Sequence, residues 1–354
     1  MKILYIVIGD LGMTEYGSGV RPNCMYRAFL ERGHTVYALS GYEGRGEGKL
    51  RAAEVQKAMQ WAEENHPDLC YIESSTYPLI HRCDYTMIRW LCKKNIPTAY
   101  FYRDFYHKFP GQFPKRSGFV NRLKDFYLDW MRILTDRILH RIAMVYFPSE
   151  ESLAYFPYQR KRTLGPAGDA SFLPEHASTK TSIYVGGIND RYGFPVLIEA
   201  FRLLNRKEPQ YRLILVCREN EFKQFWRWGE LPAWLELHHA SGKELEPLYA
   251  KADLGLIALE PNPYNNVAVC IKLYQYLSFG LPVLSTDTDA MTSIIRDNGF
   301  GRTAAYDAEA FAEAVAGMLR DEQLKHYSAS IRKNMTEKNL WVHRVDQIVE
   351  DLLG

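Results

Sequence analysis

The chain has 354 residues, enough for two domains at roughly 100–200 residues each. Hydrophobic residues make up 47%, charged residues 24% and aromatics 14%, a composition that buries a large core and excludes disordered and fibrous classes. Lys and Arg total 44 against 42 Asp and Glu, a net charge of +2, so no global field points to a nucleic-acid partner and any basic patch is local.

The opening MKILYIVIGD predicts a strand from Lys2 to Ile8; its apolar run stops at Asp10, too soon for the core of a signal peptide. A loop holding Gly17-Ser18-Gly19 follows, then a helix from about Arg21 to Arg32 ended by Gly33, then a strand from His34 to Ala38. Asp68 to Glu73, Pro97 to Tyr102 and Ile142 to Phe147 read as further strands separated by helical stretches, which makes residues 1–165 a Rossmann-like domain. Periodicity breaks from about Arg162 to Lys180, among Gly, Pro, Ser and Asp, and this places a linker at 166–180.

The alternation then restarts. Thr181 to Val185, Tyr211 to Cys217, Leu235 to His239, Asp253 to Leu259 and Pro282 to Ser285 predict strands, with helices at Pro195 to Asn205 and Cys270 to Phe279. Residues 181–335 thus form a second doubly wound domain. Residues 336–354 hold a closing helix, with Val342, Val345, Ile348, Val349 and Leu352 at helical spacing. In such α/β sheets ligands sit at the carboxyl ends of the strands, so a cleft between two of them is the default site.

Six scattered cysteines without a C-x-x-C pair point to a reducing, cytoplasmic setting rather than a disulfide scaffold. No apolar run reaches the eighteen or so residues that spanning a bilayer requires, and no His/Cys/Asp cluster has metal-ligand spacing. From Arg103 to Arg141 nine Lys or Arg stand against four Asp, interleaved with Phe109, Phe113, Phe119, Phe126, Tyr127 and Trp130. Leu123, Tyr127, Trp130, Leu134 and Ile138 form a helical stripe there. It fits either an interfacial segment on the anionic inner face of a membrane or a core-facing stripe with a solvated basic back.

Four segments of the second half carry a resemblance: YVGGINDRYGFPVLIEAF (Tyr184 to Phe201), YRLILVCR, KELEPLYAKADLGLIAL (Lys243 to Leu259) and KLYQYLSFGLPVL (Lys272 to Leu284). In order and spacing they resemble the donor domain of the retaining GT-B glycosyltransferases, and RGHTV (Arg32 to Val36) is similar to the first domain of that family. The resemblance implies two Rossmann-like domains facing across a cleft. It also implies transfer of a sugar from a nucleotide-diphosphate donor to an acceptor hydroxyl with retention, in polysaccharide or glycolipid assembly. The partners are then the nucleotide-sugar and a carbohydrate, lipid-linked or other hydroxyl acceptor, with no nucleic acid and no cofactor or metal.

A nucleotide diphosphate needs backbone N–H groups at a glycine turn or helix start, with one or two Lys or Arg beside them. Gly17, Ser18 and Gly19 meet the first need or simply make a tight turn. The resemblance directs Lys272 and Arg191 to the diphosphate, although Gly187 and Tyr192 stand at the two places where many relatives have an Arg and a Lys. Arg218, at the end of its strand, is a substitute cation or a solvated surface group.

Relatives often place two glutamates eight positions apart, where this chain has Val267 and Gln275. Gln275 can still hydrogen-bond a ribose, while Glu260, Asn265 and Asn266 are the polar groups nearest Val267 in sequence. Asn265 or Asn266 either meets the sugar hydroxyls or builds a Pro/Asn turn. Asp104, beyond the strand Pro97 to Tyr102, either touches the donor sugar or pairs with Arg103. The missing acidic pair leaves open a second expectation, a catalytically inactive glycosyltransferase-like subunit that binds nucleotide or a partner enzyme.

Overall fold

The protein is described from a computed structural model covering all residues except 13–16, 113–117 and 175. The chain divides into two compact units, Met1–Gly165 with Trp341–Gly354 and Pro166–Leu340.

The first unit opens with β1 (Lys2–Val7), α1 (Gly17–Glu31), β2 (Thr35–Leu39), α2 (Gly48–Asn65), β3 (Leu69–Glu73) and α3 (Arg82–Lys93). It continues through β4 (Thr98–Phe101), α4 (Phe119–Leu139), β5 (Met144–Phe147), α5 (Glu150–Leu153) and β6 (Lys161–Thr163). Its strands form one parallel sheet in the order β2-β1-β3-β4-β5-β6. Strands β3 and β4 are buried along their whole length, because helices cover both faces of a parallel sheet.

The second unit holds β7 (Thr181–Val185), α6 (Phe194–Leu204), β8 (Arg212–Val216), α7 (Glu219–Phe225), β9 (Leu235–His238), α8 (Glu246–Tyr249) and β10 (Leu254–Ile257). It ends with α9 (Ile271–Ser278), β11 (Val283–Thr286), α10 (Asp289–Asp297), β12 (Gly301–Ala304), α11 (Ala308–Met318) and α12 (Asp321–Lys338). The parallel order is β12-β11-β10-β7-β8-β9. Alternate residues of one strand feed two cores: Leu213 and Leu215 pack with Phe201, Phe311 and Val315, whereas Ile214 and Val216 pack with Leu277, Met291 and Ile331. The fold class is therefore the expected one, two doubly wound α/β domains.

Residues 166–180, read as a linker from sequence, fall within the second unit. The final helix, α13 (Trp341–Leu353), belongs to the first unit and begins later than residue 336, because residues up to Lys338 continue α12. Buried Val342, Val345 and Ile348 seat it, and Tyr146 donates a 2.8 Å hydrogen bond to Asp351. Strands β6 and β12 have no counterpart in the sequence reading: KRT and GRTA are too short and too polar to show an apolar run.

Two further expectations change. Gly17, Ser18 and Gly19 are not a loop ahead of a helix; they form the first turn of α1, with Pro22 inside it. On α4 the stripe splits. Ile138 is buried and Tyr127 and Leu134 are half-buried, while Leu123 and Trp130 join an exposed face with Phe119, Phe126 and Ile133. Phe113, Lys115 and Arg116 lie outside the described residues. Among the described residues no helix is long and apolar enough to cross a membrane.

Candidate functional site

In the second unit the chain leaves the central strand β7 toward β8 and β9, then returns to add β10 on the other side. Successive connections therefore part at the carboxyl ends of β7 and β10, which is where an open α/β sheet forms a ligand crevice. The ladder agrees. Strand β7 pairs with β8 from Thr181 to Val185, but with β10 only at Ser182 and Ile183. Beyond that point the Tyr276 hydroxyl bridges the two strands, accepting the Val185 N–H at 3.0 Å and donating to the Leu256 carbonyl at 3.2 Å. Gly255 makes room for the ring, since a Cβ there would lie 2.5 Å from Cγ of Tyr276. Burial holds the phenol well above its ordinary pKa, so it stays a neutral donor.

Lys272, in the first turn of α9, reaches this crevice. Its Nζ lies 4.8 Å from the ring centroid of Tyr184 and 5.2 Å from that of Tyr192. The ammonium also lies against the backbone just beyond β7: a Cβ on Gly186 would be 2.0 Å from Nζ, and Gly186 has φ +146°. Only glycine combines that backbone conformation with so close an approach. Among the described residues Lys272 makes no ion pair and no hydrogen bond. Burial draws its pKa below the ordinary lysine value, with Cys270 and Glu221 pulling weakly the other way.

The loop after β7 and helix α7 each add an acceptor. Asn189 Oδ1 and Glu221 Oε2 are buried with no hydrogen-bond partner among the described residues. Glu221 Oε2 lies 3.1 Å from where a Gly187 Cβ would be, and the Tyr192 ring lies closer still at 2.4 Å. Together these groups offer one unpaired cation and two unpaired acceptors at the topological switch point. An anion with attached hydroxyls matches that set: its charge meets Lys272 and its hydroxyls donate to the acceptors.

The other candidate residues are distributed unevenly. Gln275 follows Lys272 by one turn of α9 and is half-buried. Arg191 is exposed on the short turn Asp190–Tyr192. Arg218, directly before α7, is 56% exposed and lies 3.6 Å from Glu221. Glu260 is exposed and Asn266 half-buried. Asn265 is buried and closes the turn: its side-chain amide donates to the Glu260 carbonyl at 2.8 Å, and its N–H donates to Asn262 Oδ1 at 2.8 Å.

Gly17, Ser18, Gly19 and Asp104 belong to the first unit. Asp104 accepts a 2.8 Å hydrogen bond from Thr76 Oγ1 and lies 3.8 Å from Arg103. The first unit also buries a network that sequence reasoning missed. Arg21 Nε donates to Glu73 Oε1 at 2.9 Å, Tyr71 donates to the same oxygen at 2.6 Å, and the guanidinium stacks 3.6 Å above Phe101. Nothing in the spacing of Arg21, Tyr71 and Glu73 announces it. In the second unit the Gly186-Gly187 doublet was the available signal for the tyrosine-lined lysine. Among the described residues no three His, Cys, Asp or Glu side chains cluster so as to hold a metal.

Residues 179–321, most of the second unit, match the sequence family Glycosyl transferases group 1. No curated protein matches the chain in sequence. Among solved structures the chain is similar to a glycosyltransferase from Rickettsia africae at 13% identity and TM-score 0.63, covering 100% of this chain and 99% of that one. It is similar to WaaG, a glycosyltransferase involved in lipopolysaccharide biosynthesis, at 16% identity and TM-score 0.63, covering 99% and 100%. A third is an alpha-glucosyltransferase in complex with UDP and DNA, at 13% identity and TM-score 0.62, covering 99% of each chain. The fold is GT-B. The family match covers the crevice built by β7, β10 and α9, and includes Lys272 and Gln275.

Proposed function

We propose that the protein is a glycosyltransferase that takes a sugar from a nucleotide-diphosphate donor and passes it to an acceptor hydroxyl with retention of configuration. The observation that carries this reading is Lys272, a cation with no ion pair or hydrogen bond among the described residues, held against Gly186 where the strand order reverses. Lys272 is half-buried, and a charge withdrawn in part from water is costly unless something meets it, which a diphosphate does. The match of residues 179–321 to Glycosyl transferases group 1 supports the reading, as do relatives of the same fold, one of them seen with UDP.

In this mechanism Lys272 and the positive end of α9 hold the diphosphate and stabilise the charge that grows on it as the glycosidic bond stretches. The departing phosphate accepts the proton of the incoming hydroxyl on the same face, so no enzyme nucleophile is needed. Half-buried Gln275, and Glu221 through its unpartnered oxygen, are the groups assigned in this reading to hydroxyls of the nucleotide sugar. Exposed Arg191 and Arg218 are assigned in this reading as auxiliary cations, and Asn266 and Glu260, which follow β10, as candidates for the sugar. No metal is assigned, because cationic side chains and a helix start supply the positive charge.

The reading includes a peripheral contact with an anionic membrane. Phe119, Leu123, Phe126, Trp130 and Ile133 recur on one face of α4 and are 51–75% exposed, with exposed Arg122 and Lys124 beside them. Polysaccharide or glycolipid assembly, with a lipid-linked acceptor, suits such a surface.

A thermal-shift panel of nucleoside diphosphates tests the donor. A ligand at 100 times its dissociation constant stabilises by about 2.7 kcal/mol, a readable shift. A shift with one nucleobase and transfer from the matching nucleotide-sugar are expected. No shift with any of them, or a shift retained in full by Lys272→Ala, overturns the assignment.

A further inference from the structure

Helices α3 and α4 run side by side in the same direction. The Tyr85 hydroxyl lies 3.0 Å from Thr135 Oγ1, and about two turns further along Cys92 Sγ lies 3.6 Å from the Arg141 carbonyl oxygen. Between the helices opens a groove of about 770 Å³, lined by their residues and by Ile80 and Arg141 beside their ends, with no strand residue among them. Its floor is apolar: Tyr85, Met131 and Ile138 are buried and Leu134 is half-buried.

Four arginines stand around that floor. Arg82 and Arg89 belong to α3, Arg137 to the last turn of α4, and Arg141 lies just past it. All four are exposed, and among the described residues none makes an ion pair or a side-chain hydrogen bond. No Asp or Glu among the described residues lines the groove. The carboxylates of the two helices are engaged elsewhere: Asp84 holds Arg51, Asp129 holds Arg132 and Asp136 accepts from Tyr158 at 2.6 Å, while Asp125 lines a different cavity. Like charges around one groove repel one another, and each guanidinium carries several N–H donors; an anion with several oxygens relieves the first and uses the second.

The surroundings of the groove decide which anion. Trp130 lines it and also belongs to the exposed stripe of Phe119, Leu123, Phe126, Trp130 and Ile133. Arg137 follows Ile133 at the same helical spacing, so the stripe ends where the arginines begin. An apolar floor continuous with an exposed apolar face suits acyl chains, and arginines at its end suit a phosphate. A soluble anion would occupy the arginines and leave floor and stripe uncovered. A phosphate monoester presents three terminal oxygens to the forked guanidinium donors, whereas a diester presents two.

We infer that the groove between α3 and α4 binds a lipid whose head ends in a phosphate monoester, of the phosphatidate class, through Arg82, Arg89, Arg137 and Arg141. The membrane setting rests on the contact proposed above; the phosphate site itself does not. The groove gives that contact a preference for lipid chemistry beyond what net charge supplies.

Calorimetry on the full chain with water-soluble dihexanoyl phosphatidate, dihexanoyl phosphatidylglycerol and glycerol 3-phosphate tests the inference, beside sedimentation with phosphatidate or phosphatidylglycerol vesicles at matched surface charge. Dihexanoyl phosphatidate should bind about 10-fold or more tightly than either of the other two, and phosphatidate vesicles should capture more protein. Arg89→Lys with Arg137→Lys keeps the charge but loses the forked geometry, so the preference should fall to about threefold or less. Arg122→Gln with Lys124→Gln removes two exposed charges outside the groove; it should weaken capture by both vesicle types alike and leave the preference intact. Equal binding of the two lipids, equal binding of glycerol 3-phosphate, or a preference unchanged by the two Lys substitutions overturns the groove as a lipid site. Sedimentation with vesicles but no preference overturns the groove and leaves the membrane contact standing. A phosphatidate preference in solution without sedimentation with any vesicle does the reverse.

Discussion

Replacing Lys272 by Met tests whether a binding group has been kept at the expense of stability. Met preserves most of the stem between Tyr184 and Tyr192 and deletes the ammonium, which faces the two rings but makes no ion pair or hydrogen bond among the described residues. Since burial draws the Lys272 pKa below its ordinary 10.5, the folded chain binds that proton less tightly than the unfolded chain. Stability from this group therefore rises as pH climbs through the window below 10.5, and Lys272→Met should abolish that rise. Near neutral pH the ligand-free variant should be more stable by about 1 kcal/mol, or about 2–4 °C for a unit of this size. A lost charge-assisted contact costs about 1.5–3 kcal/mol, or about 10- to 150-fold in affinity. At a diphosphate concentration 100 times the wild-type dissociation constant, the stabilisation should fall from about 2.7 to no more than about 1.3 kcal/mol. Gly186→Ala is the companion, because the ammonium must retreat by about 1.4 Å to restore ordinary contact with the new Cβ, and binding should weaken although the charge remains. Differential scanning fluorimetry with and without the diphosphate reads every term. A Lys272→Met chain less stable than wild type and shifted in full by the diphosphate would refute the reasoning.

Tyr276→Phe removes the hydroxyl that pairs with the Val185 N–H and the Leu256 carbonyl; unfolding of the second unit should be easier by about 1–3 kcal/mol, and an unchanged denaturation midpoint would contradict the bridge. Burial, with Arg132 and Lys108 nearby, lowers the His107 pKa to about 4. The unfolded chain then takes up this proton first, so stability should fall as pH drops from about 6.5 toward about 4; His107→Gln should lose less between pH 7 and pH 5 than wild type in urea titrations. Phe126→Glu with Trp130→Glu should abolish sedimentation with phosphatidylglycerol vesicles while leaving the thermal midpoint nearly unchanged, since both side chains are more than half exposed. Retained sedimentation would remove α4 as the contact surface.

Much of the architecture was legible because it is written in local periodicity. The runs at Lys2, Thr181 and Leu254 are apolar for strand length and bounded by turn residues, and neighbouring residues alone define them. Strands β6 and β12 escaped because a three- or four-residue strand of mixed polarity has no period to detect. The first turn of α1 was misplaced because glycines usually signal a loop, and a helix that contains Gly17, Gly19 and Pro22 depends on packing to form.

For the site, sequence by itself determined that Lys272 and Gln275 share one short helix ahead of Gly280, and that a glycine doublet follows the first strand of the second half. Only tertiary structure decided that Lys272 makes no ion pair or hydrogen bond among the described residues whereas Arg218 sits near Glu221, that Asn265 is spent on its own turn, and that Arg51 and His81 are buried. It also decided which side of α4 stays wet. Met131, Thr135, Ile138 and Leu139 are buried, and Phe119, Leu123, Phe126, Trp130 and Ile133 are left outside, although a helix of that composition could bury either face. Periodicity depends on residues a turn apart, whereas burial and charge pairing depend on groups dozens to hundreds of positions away that only the folded chain brings within reach.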